Sequence, residues 1–145
     1  MAAKRQIVFL SHGGGPMPLL DDPGHEPMVK ALRSLAGRLQ KPSAILVISA
    51  HWEAPVPTLT SAASPALVYD YYGFAPEAYT ITYPCPGEPS LSRTVSDLLR
   101  QSGIETRQDP GRGLDHGVFV PLRLMYPDAE IPCVQLSLVR GLRAC

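Results

Sequence analysis

Two short, continuous apolar runs on either side of a helical segment constrain the fold of this chain more than any other feature. The runs are residues 7–10 and 44–48, and between them apolar residues recur at helical spacing over residues 27–39. A continuous apolar run bounded by loop residues is typical of a strand buried on both faces. Residues 1–52 therefore predict a β-α-β unit, and the chain an α/β fold with a mostly parallel central sheet and flanking helices.

The rest of the chain continues this alternation of helices and strands. Residues 53–90 are rich in proline and tyrosine, which favours a rigid loop that forms the wall of a binding site over a loop that only stabilises the sheet. The pattern predicts helices over residues 90–101 and 118–126, the second with Pro121 in its first turn, and strands over residues 58–62, 66–69, 104–107 and 131–138.

Composition narrows the class of protein. The 145 residues carry no net charge and are 45% hydrophobic, which fits one domain over residues 1–145 and argues against a nucleic-acid partner. No apolar run is long enough to span a membrane, and the N-terminus lacks the pattern of a signal peptide. The three cysteines, Cys85, Cys133 and Cys145, have no CxxC spacing and favour a reducing cytoplasm.

Three of the four histidines follow predicted strands or lie in a glycine-bounded loop. His12 follows the first predicted strand, and His51 lies at the end of the second. Ligands of parallel α/β sheets bind at the carboxyl ends of the strands, so the two imidazoles could hold one metal ion, although either could be a hydrogen-bonded structural group. His116 could be a third ligand or an uncoordinated acid/base. Asp115 is adjacent in the sequence, but adjacency alone does not show that it orients the His116 ring. His25 is interpreted as a solvated loop residue without a role.

Six stretches, in this order along the chain, resemble the class III extradiol ring-cleavage dioxygenase family of the LigB-like superfamily, in its DOPA 4,5-dioxygenase-like branch. Each stretch is weak evidence alone, but six in the family's order are a specific signal. They are residues 9–13 (FLSHG), 48–52 (ISAHW), 69–74 (YDYYGF), 79 with 83–87 (Y and YPCPG), 114–117 (LDHG) and 125–137 (MYPDAEIPCVQLS).

The resemblance implies extradiol cleavage of a catechol such as DOPA, with the vicinal diol and O₂ as reactants. It implies one divalent metal ion, Fe(II) or Zn(II), because His12 and His51 match the family's first two metal ligands. His116 matches the family's acid/base histidine. The substrate-binding candidates are Gly13, whose loop leaves room for a ligand, and two aromatic residues of the tyrosine-rich stretch, Tyr72 and Phe74.

The end of the chain departs from the family, whose longer members supply a third metal ligand and a second active-site histidine from their later half. No histidine follows His116, so the simplest hypothesis is a truncated or frameshifted product with an incomplete domain. An exposed sheet edge would then favour self-association into a homo-oligomer. The alternatives are an inactive metal-binding module or scaffold, and a zinc hydrolase that uses all three histidines. The carboxylates that could replace the third ligand are Asp21, Asp22, Glu53 and Asp70.

Overall fold

A computed structural model describes residues 5–141 and shows a four-stranded sheet with flanking helices. This architecture confirms the predicted α/β class. Short 3₁₀ turns cover Met17–Leu19, Pro23–His25 and Pro76–Tyr79. In chain order the longer elements are α1 (Glu26–Arg38), β1 (Ile45–Ala54), β2 (Thr58–Thr60), α2 (Pro89–Gln101), β3 (Arg107–Asp109), α3 (His116–Met125) and β4 (Cys133–Val139).

The sheet has the strand order β1-β4-β2-β3 and is mostly parallel. β1 pairs with β4 in parallel, and so does β2 with β3, whereas a single antiparallel pairing of Leu59 with Leu136 joins the two halves. The predicted strand over residues 66–69 contributes only a bridge between Leu67 and Leu114. The predicted strand over residues 104–107 is wrong in position, because the residues that bond to β2 begin at Arg107.

The predicted strand over residues 7–10 is wrong. These residues have no regular secondary structure, and the side chains of Ile7 and Phe9 are fully exposed. A strand that is apolar on both faces is stable only where hydrogen-bonded neighbours and covering side chains surround it, and the part of the chain that the structure describes supplies neither. Instead, Gln6 bonds to the backbone of Gln40 beyond the end of α1, through contacts of 2.9 and 3.1 Å.

Helix α3 is the centre of the hydrophobic core. Val118, Phe119 and Val120 are completely buried, and the thiols of Cys85 and Cys133 lie in the same cluster as free cysteines. This environment fits the interpretation of those cysteines as small buried apolar residues. Cys145 and the N-terminal residues 1–4 lie outside the described residues.

Helix α3 begins earlier than the sequence pattern predicts. It starts at His116 because the carboxylate of Asp115 accepts a hydrogen bond from the Gly117 amide at 2.9 Å, which caps the helix. Pro121 therefore lies inside the helix and not in its first turn. The consequence for the site is that His116 occupies the first position of a buried helix, where its backbone is held firmly.

No helix in residues 5–141 is both long enough and apolar enough to cross a membrane.

Candidate metal centre

The structure brings together the three histidines that the sequence singled out. Nitrogen atoms of His12, His51 and His116 all lie within 4.8 Å of one another, and their ring centroids are 4.0–5.0 Å apart. Three imidazoles in such a group could hold a divalent metal ion. Within residues 5–141, no carboxylate belongs to this group, so the structure does not bring Asp21, Asp22, Glu53 or Asp70 into a third-ligand position.

His51 lies in a distortion of strand β1. The pairing of β1 with β4 runs regularly to Ile48 opposite Leu136 and resumes at Glu53 opposite Leu138, so β1 carries extra residues between these points. A bulge of this kind re-aims side chains and is common beside functional sites. His51 is therefore inside the strand and not at its end, and the bulge turns its ring toward His12.

His12 faces His51 from a loop without regular secondary structure. The Nε2 atoms of the two rings are 2.9 Å apart. Two imidazole nitrogens bound to one ion at about 2.0–2.1 Å lie roughly 3 Å apart, so this separation fits a shared metal ion. Burial, and then the neighbouring rings of His116 and His51, lower the pKa of His12. His12 therefore favours the neutral form, which is the form that binds a metal.

His116 is oriented by Asp70 and not by its sequence neighbour Asp115. Asp70 Oδ1 accepts hydrogen bonds from the ring Nδ1 at 2.8 Å and from the backbone amide of His116 at 3.0 Å. Burial acts to raise the pKa of Asp70, but these hydrogen bonds outweigh it and lower the pKa. An ionised carboxylate only accepts, so the proton of the neutral ring is on Nδ1 and its Nε2 is left free.

Asp115 has a structural part in the site. Its buried carboxylate accepts hydrogen bonds from Ser49 Oγ at 2.8 Å, from the Gly117 amide and from the side-chain amide of Gln135. Ser49 Oγ in turn accepts from the backbone amide of His51 at 3.2 Å. This network joins the start of α3 to the bulge of β1, and it therefore fixes His116 and His51 relative to each other.

Tyrosine and phenylalanine rings from residues 69–79 form the aromatic neighbourhood of the histidines. Tyr71 is 5.7 Å from the His116 ring and donates a hydrogen bond to the carbonyl of Ala78, and burial raises the pKa of its phenol to about 12. Phe74 packs 5.5 Å from Tyr71 and against Gly15, in the loop that follows His12 and Gly13. Tyr72 is 91% exposed. The ring nearest to the histidines is therefore Tyr71, which the sequence did not single out.

Two further contacts of the site were not predicted from the sequence. Asp70 was considered only as a substitute ligand, because a pairing across 46 residues leaves no local pattern. His25 was given no role, yet its ring bonds to Asp22 and to the backbone amide of Gly14. The sequence signal for Asp70 was its place in the stretch of residues 69–74 that resembles the family, and His25 had none.

Replacing Gly117 with alanine is expected to weaken metal binding. A Cβ at this position would lie 2.4 Å from Ser49 Oγ and 2.9 Å from His51 Cδ2, so these two side chains of the β1 bulge would have to move. We expect the affinity for Zn(II) to fall about tenfold, the size of effect typical when the support of a ligand is disturbed. Competition with a chromogenic chelator would measure the change.

Gly37→Ala is the matched control for this prediction. Gly37 lies in α1, and nothing lies within 4 Å of the position of an added Cβ. This variant should bind Zn(II) as the wild type does and gain about 0.5–1 kcal/mol of stability, because alanine is the better helix former. Equal affinities for the Gly117→Ala and wild-type proteins would show that the bulge does not position His51.

An α/β sheet with three converging histidines defines a candidate metal-binding enzyme, and comparison with known proteins gives its family. Residues 6–144 match the model of the catalytic LigB subunit of aromatic ring-opening dioxygenase. The chain belongs to this family, which confirms the resemblance found in the sequence.

Several relatives support the same assignment. Dioxygenase tasH of Hapsidospora irregularis is 46% identical over 141 residues, covering 92% of this chain and 44% of the relative. The 4,5-DOPA dioxygenase extradiol of Beta vulgaris is 44% identical, covering 92% and 50%, and that of Escherichia coli K12 is 37% identical, covering 94% and 49%. This chain therefore spans about half the length of these relatives.

A solved structure agrees with the fold. The crystal structure of an uncharacterized protein from Escherichia coli K12 is 35% identical and superposes with a TM-score of 0.60, covering 77% of this chain and 40% of that chain.

Proposed function

We propose that this chain catalyses metal-dependent extradiol cleavage of a catechol such as DOPA with O₂. The observation that supports the proposal most strongly is the convergence of His12, His51 and His116, each of which lies in a stretch that resembles the family. His12 and His51 would hold a divalent ion, Fe(II) or Zn(II), through their Nε2 atoms. Such an ion, when bound, would activate the diol and O₂ for reaction with each other.

His116 is proposed to be the acid/base residue. Its Nδ1 is held by Asp70, so its Nε2 is available to take a proton from the diol and to return it as the ring opens. The ionised Asp70 stabilises the ring while it carries the additional proton. Both oxygen atoms of O₂ enter the product: the O–O bond and the ring C–C bond beside the diol break, and each carbon of the broken ring bond gains one oxygen.

Aromatic residues are proposed to hold the flat substrate next to these histidines. Phe74 lies over Gly15, and Gly13 would contribute only its backbone beside His12, because the His25 ring occupies the place of a Cβ there. Tyr71 would bound the substrate position next to His116, whose ring it contacts edge-on. Tyr72, whose ring is exposed, would contact only a substituent that projects from the site. This arrangement favours an aromatic diol over an aliphatic one.

Ring cleavage by the purified protein is the direct test of this function. The protein would be loaded with Fe(II) without oxygen and then given DOPA and air, while O₂ consumption and a yellow ring-opened product are followed together. We expect one mole of ring-opened product to form for each mole of O₂ consumed. A protein that binds Fe(II) but forms no product would contradict the proposed activity of this chain and leave its family membership unaffected.

Asp70→Asn is expected to lower kcat about 10- to 100-fold, the usual cost of removing the carboxylate partner of a functional histidine. The amide keeps the shape of Asp70 but not its charge, so His116 becomes a weaker base, whereas the diol still binds. KM should therefore change little. Glu77→Gln removes an exposed carboxylate from the same segment and is the control. An unchanged kcat in Asp70→Asn would contradict the acid/base role of His116.

A zinc hydrolase that uses all three histidines is the second candidate, and one observation favours it. The nitrogens of His12, His51 and His116 are close enough for all three to bind one ion, which would leave a fourth position for water. Hydrolysis of an activated ester by the Zn(II)-loaded protein, at a rate lost in His116→Ala, would favour this candidate. The assignment of residues 1–145 to one domain, the cytoplasmic location and self-association stay predictions.

A further inference from the structure

His25, the fourth histidine, contacts the glycine turn that follows His12. Its Nδ1 is 2.6 Å from Asp22 Oδ2, and its Nε2 accepts a hydrogen bond of 3.0 Å from the backbone amide of Gly14. A backbone amide can only donate, so Nε2 must have a free lone pair and the ring proton must be on Nδ1, facing Asp22. The ring is therefore held in one tautomer and one orientation by partners on both sides.

The ring also packs closely on the turn itself. A Cβ at Gly13 would lie 2.5 Å from His25 Cδ2 and 2.8 Å from its Nε2, so only glycine allows the ring to approach this far. Gly13 has a φ of +77°, a backbone conformation that glycine adopts without strain. The turn and the ring thus form one packed unit directly after His12.

The packed turn and ring help to hold His12 in place. His12 lies in a segment without helix or strand, whereas His51 lies within β1 and its backbone amide bonds to Ser49 Oγ. Two residues farther on, Gly14 is held on both sides of its Cα, because its amide bonds to His25 and its carbonyl accepts from the amide of Met17 at 3.2 Å. The contact with His25 thereby ties the loop of His12 to the start of α1.

We propose that His25 is a positioning residue for the metal centre, with Asp22 orienting its ring and the Gly14 amide as the group that it holds. This proposal rests on the proposed metal-binding function of His12. It assigns to the Asp22–His25 pair the task of keeping the His12 imidazole next to that of His51 before a metal ion binds. A loop that is already ordered loses less entropy when the ion binds, so metal affinity is higher.

Two variants of His25 separate the hydrogen bond from the bulk of the ring. His25→Leu fills the space but cannot accept a hydrogen bond, whereas His25→Gln keeps an acceptor near the position of Nε2. Hydrogen exchange of the Gly14 amide in the metal-free protein, followed by NMR, is the first measurement. We expect exchange to be at least tenfold faster in His25→Leu and close to the wild-type rate in His25→Gln.

Metal affinity is the second measurement, made with Zn(II) alone in competition with a chelator. We expect a loss of about tenfold in His25→Leu, as is typical for residues that support a ligand, and recovery of most of the affinity in His25→Gln. Asp22→Ala leaves the ring present but unoriented and should give an intermediate loss. It also provides the test if His25→Leu does not fold.

The outcomes distinguish this proposal from the proposed function. Wild-type exchange of the Gly14 amide in both His25→Leu and Asp22→Ala would overturn the positioning role, whatever the metal affinity. Faster exchange in these variants without any change in Zn(II) affinity would also overturn it, because the turn would then not govern His12. A wild-type protein that binds no Zn(II) would instead overturn the proposed function, and the Gly14 exchange rates would still decide whether His25 holds the turn.

Discussion

Replacing His51 with alanine is expected to lower the affinity for Fe(II) or Zn(II) by about 100-fold or more, since the ion would lose one of two facing imidazoles. The bulge in β1 places the ring of His51 opposite that of His12. Ring cleavage should fall to background at metal concentrations that saturate the wild type. Because the ring of His51 is exposed, its removal should leave the free energy of unfolding nearly unchanged.

Equilibrium dialysis against Zn(II), followed by metal analysis of the protein, would measure this loss. His12→Ala should show the same defect, because its Nε2 is the partner across the 2.9 Å gap. Arg33→Ala, which changes an exposed residue of α1 outside the group of three histidines, is the control. Metal retention by His51→Ala at the wild-type level would mean that the ion binds elsewhere.

Asp115→Ala is expected to give the largest loss of stability, at least about 3 kcal/mol in the free energy of unfolding. The substitution removes the acceptor of three hydrogen bonds, from Ser49, Gly117 and Gln135, and so leaves their donors unpaired. Each buried donor without a partner costs about 1–3 kcal/mol. It also removes the cap of α3 and the carboxylate that lies 3.5 Å from Arg112.

Urea denaturation of the metal-free protein would measure the effect, with Ser92→Ala as the matched control. Ser92 is equally buried, but among residues 5–141 its hydroxyl has no hydrogen-bond partner. Its removal should therefore be neutral or slightly stabilising, because no acceptor or donor is left unpaired. Similar midpoints for Asp115→Ala and the wild type would show that the Asp115 network does not hold α3 against β1.

The sequence predicts the elements of this fold well where the local pattern decides them. α1 follows from apolar spacing with Pro27 in its first turn, and β1 begins in the continuous apolar run of residues 44–48. The strand over residues 7–10 has the same pattern as a buried strand, yet Ile7 and Phe9 are exposed. Whether an apolar segment is buried depends on the strands and helices that pack against it in the folded chain. The local sequence pattern does not show which neighbouring strand such a segment would pair with.

The site was predictable as a set of histidines but not as a geometry. His12, His51 and His116 stand out because each lies in a short motif beside a strand or in a glycine-bounded loop. The tertiary fold alone makes Asp70 the partner of His116, because 46 residues separate them and Asp115 is nearer in the chain. The β1 bulge that turns His51 is also a tertiary feature, since its extra residues show only against the register of β4.

The position of a bound ion tests the central claim most directly. Crystals of the wild-type protein grown with Fe(II) under anaerobic conditions would be examined by anomalous diffraction at the iron edge. We expect one site per chain, at about 2.0–2.2 Å from the Nε2 atoms of both His12 and His51. An anomalous peak away from these two atoms, or no peak at a metal concentration that fully loads the protein in solution, would contradict the account.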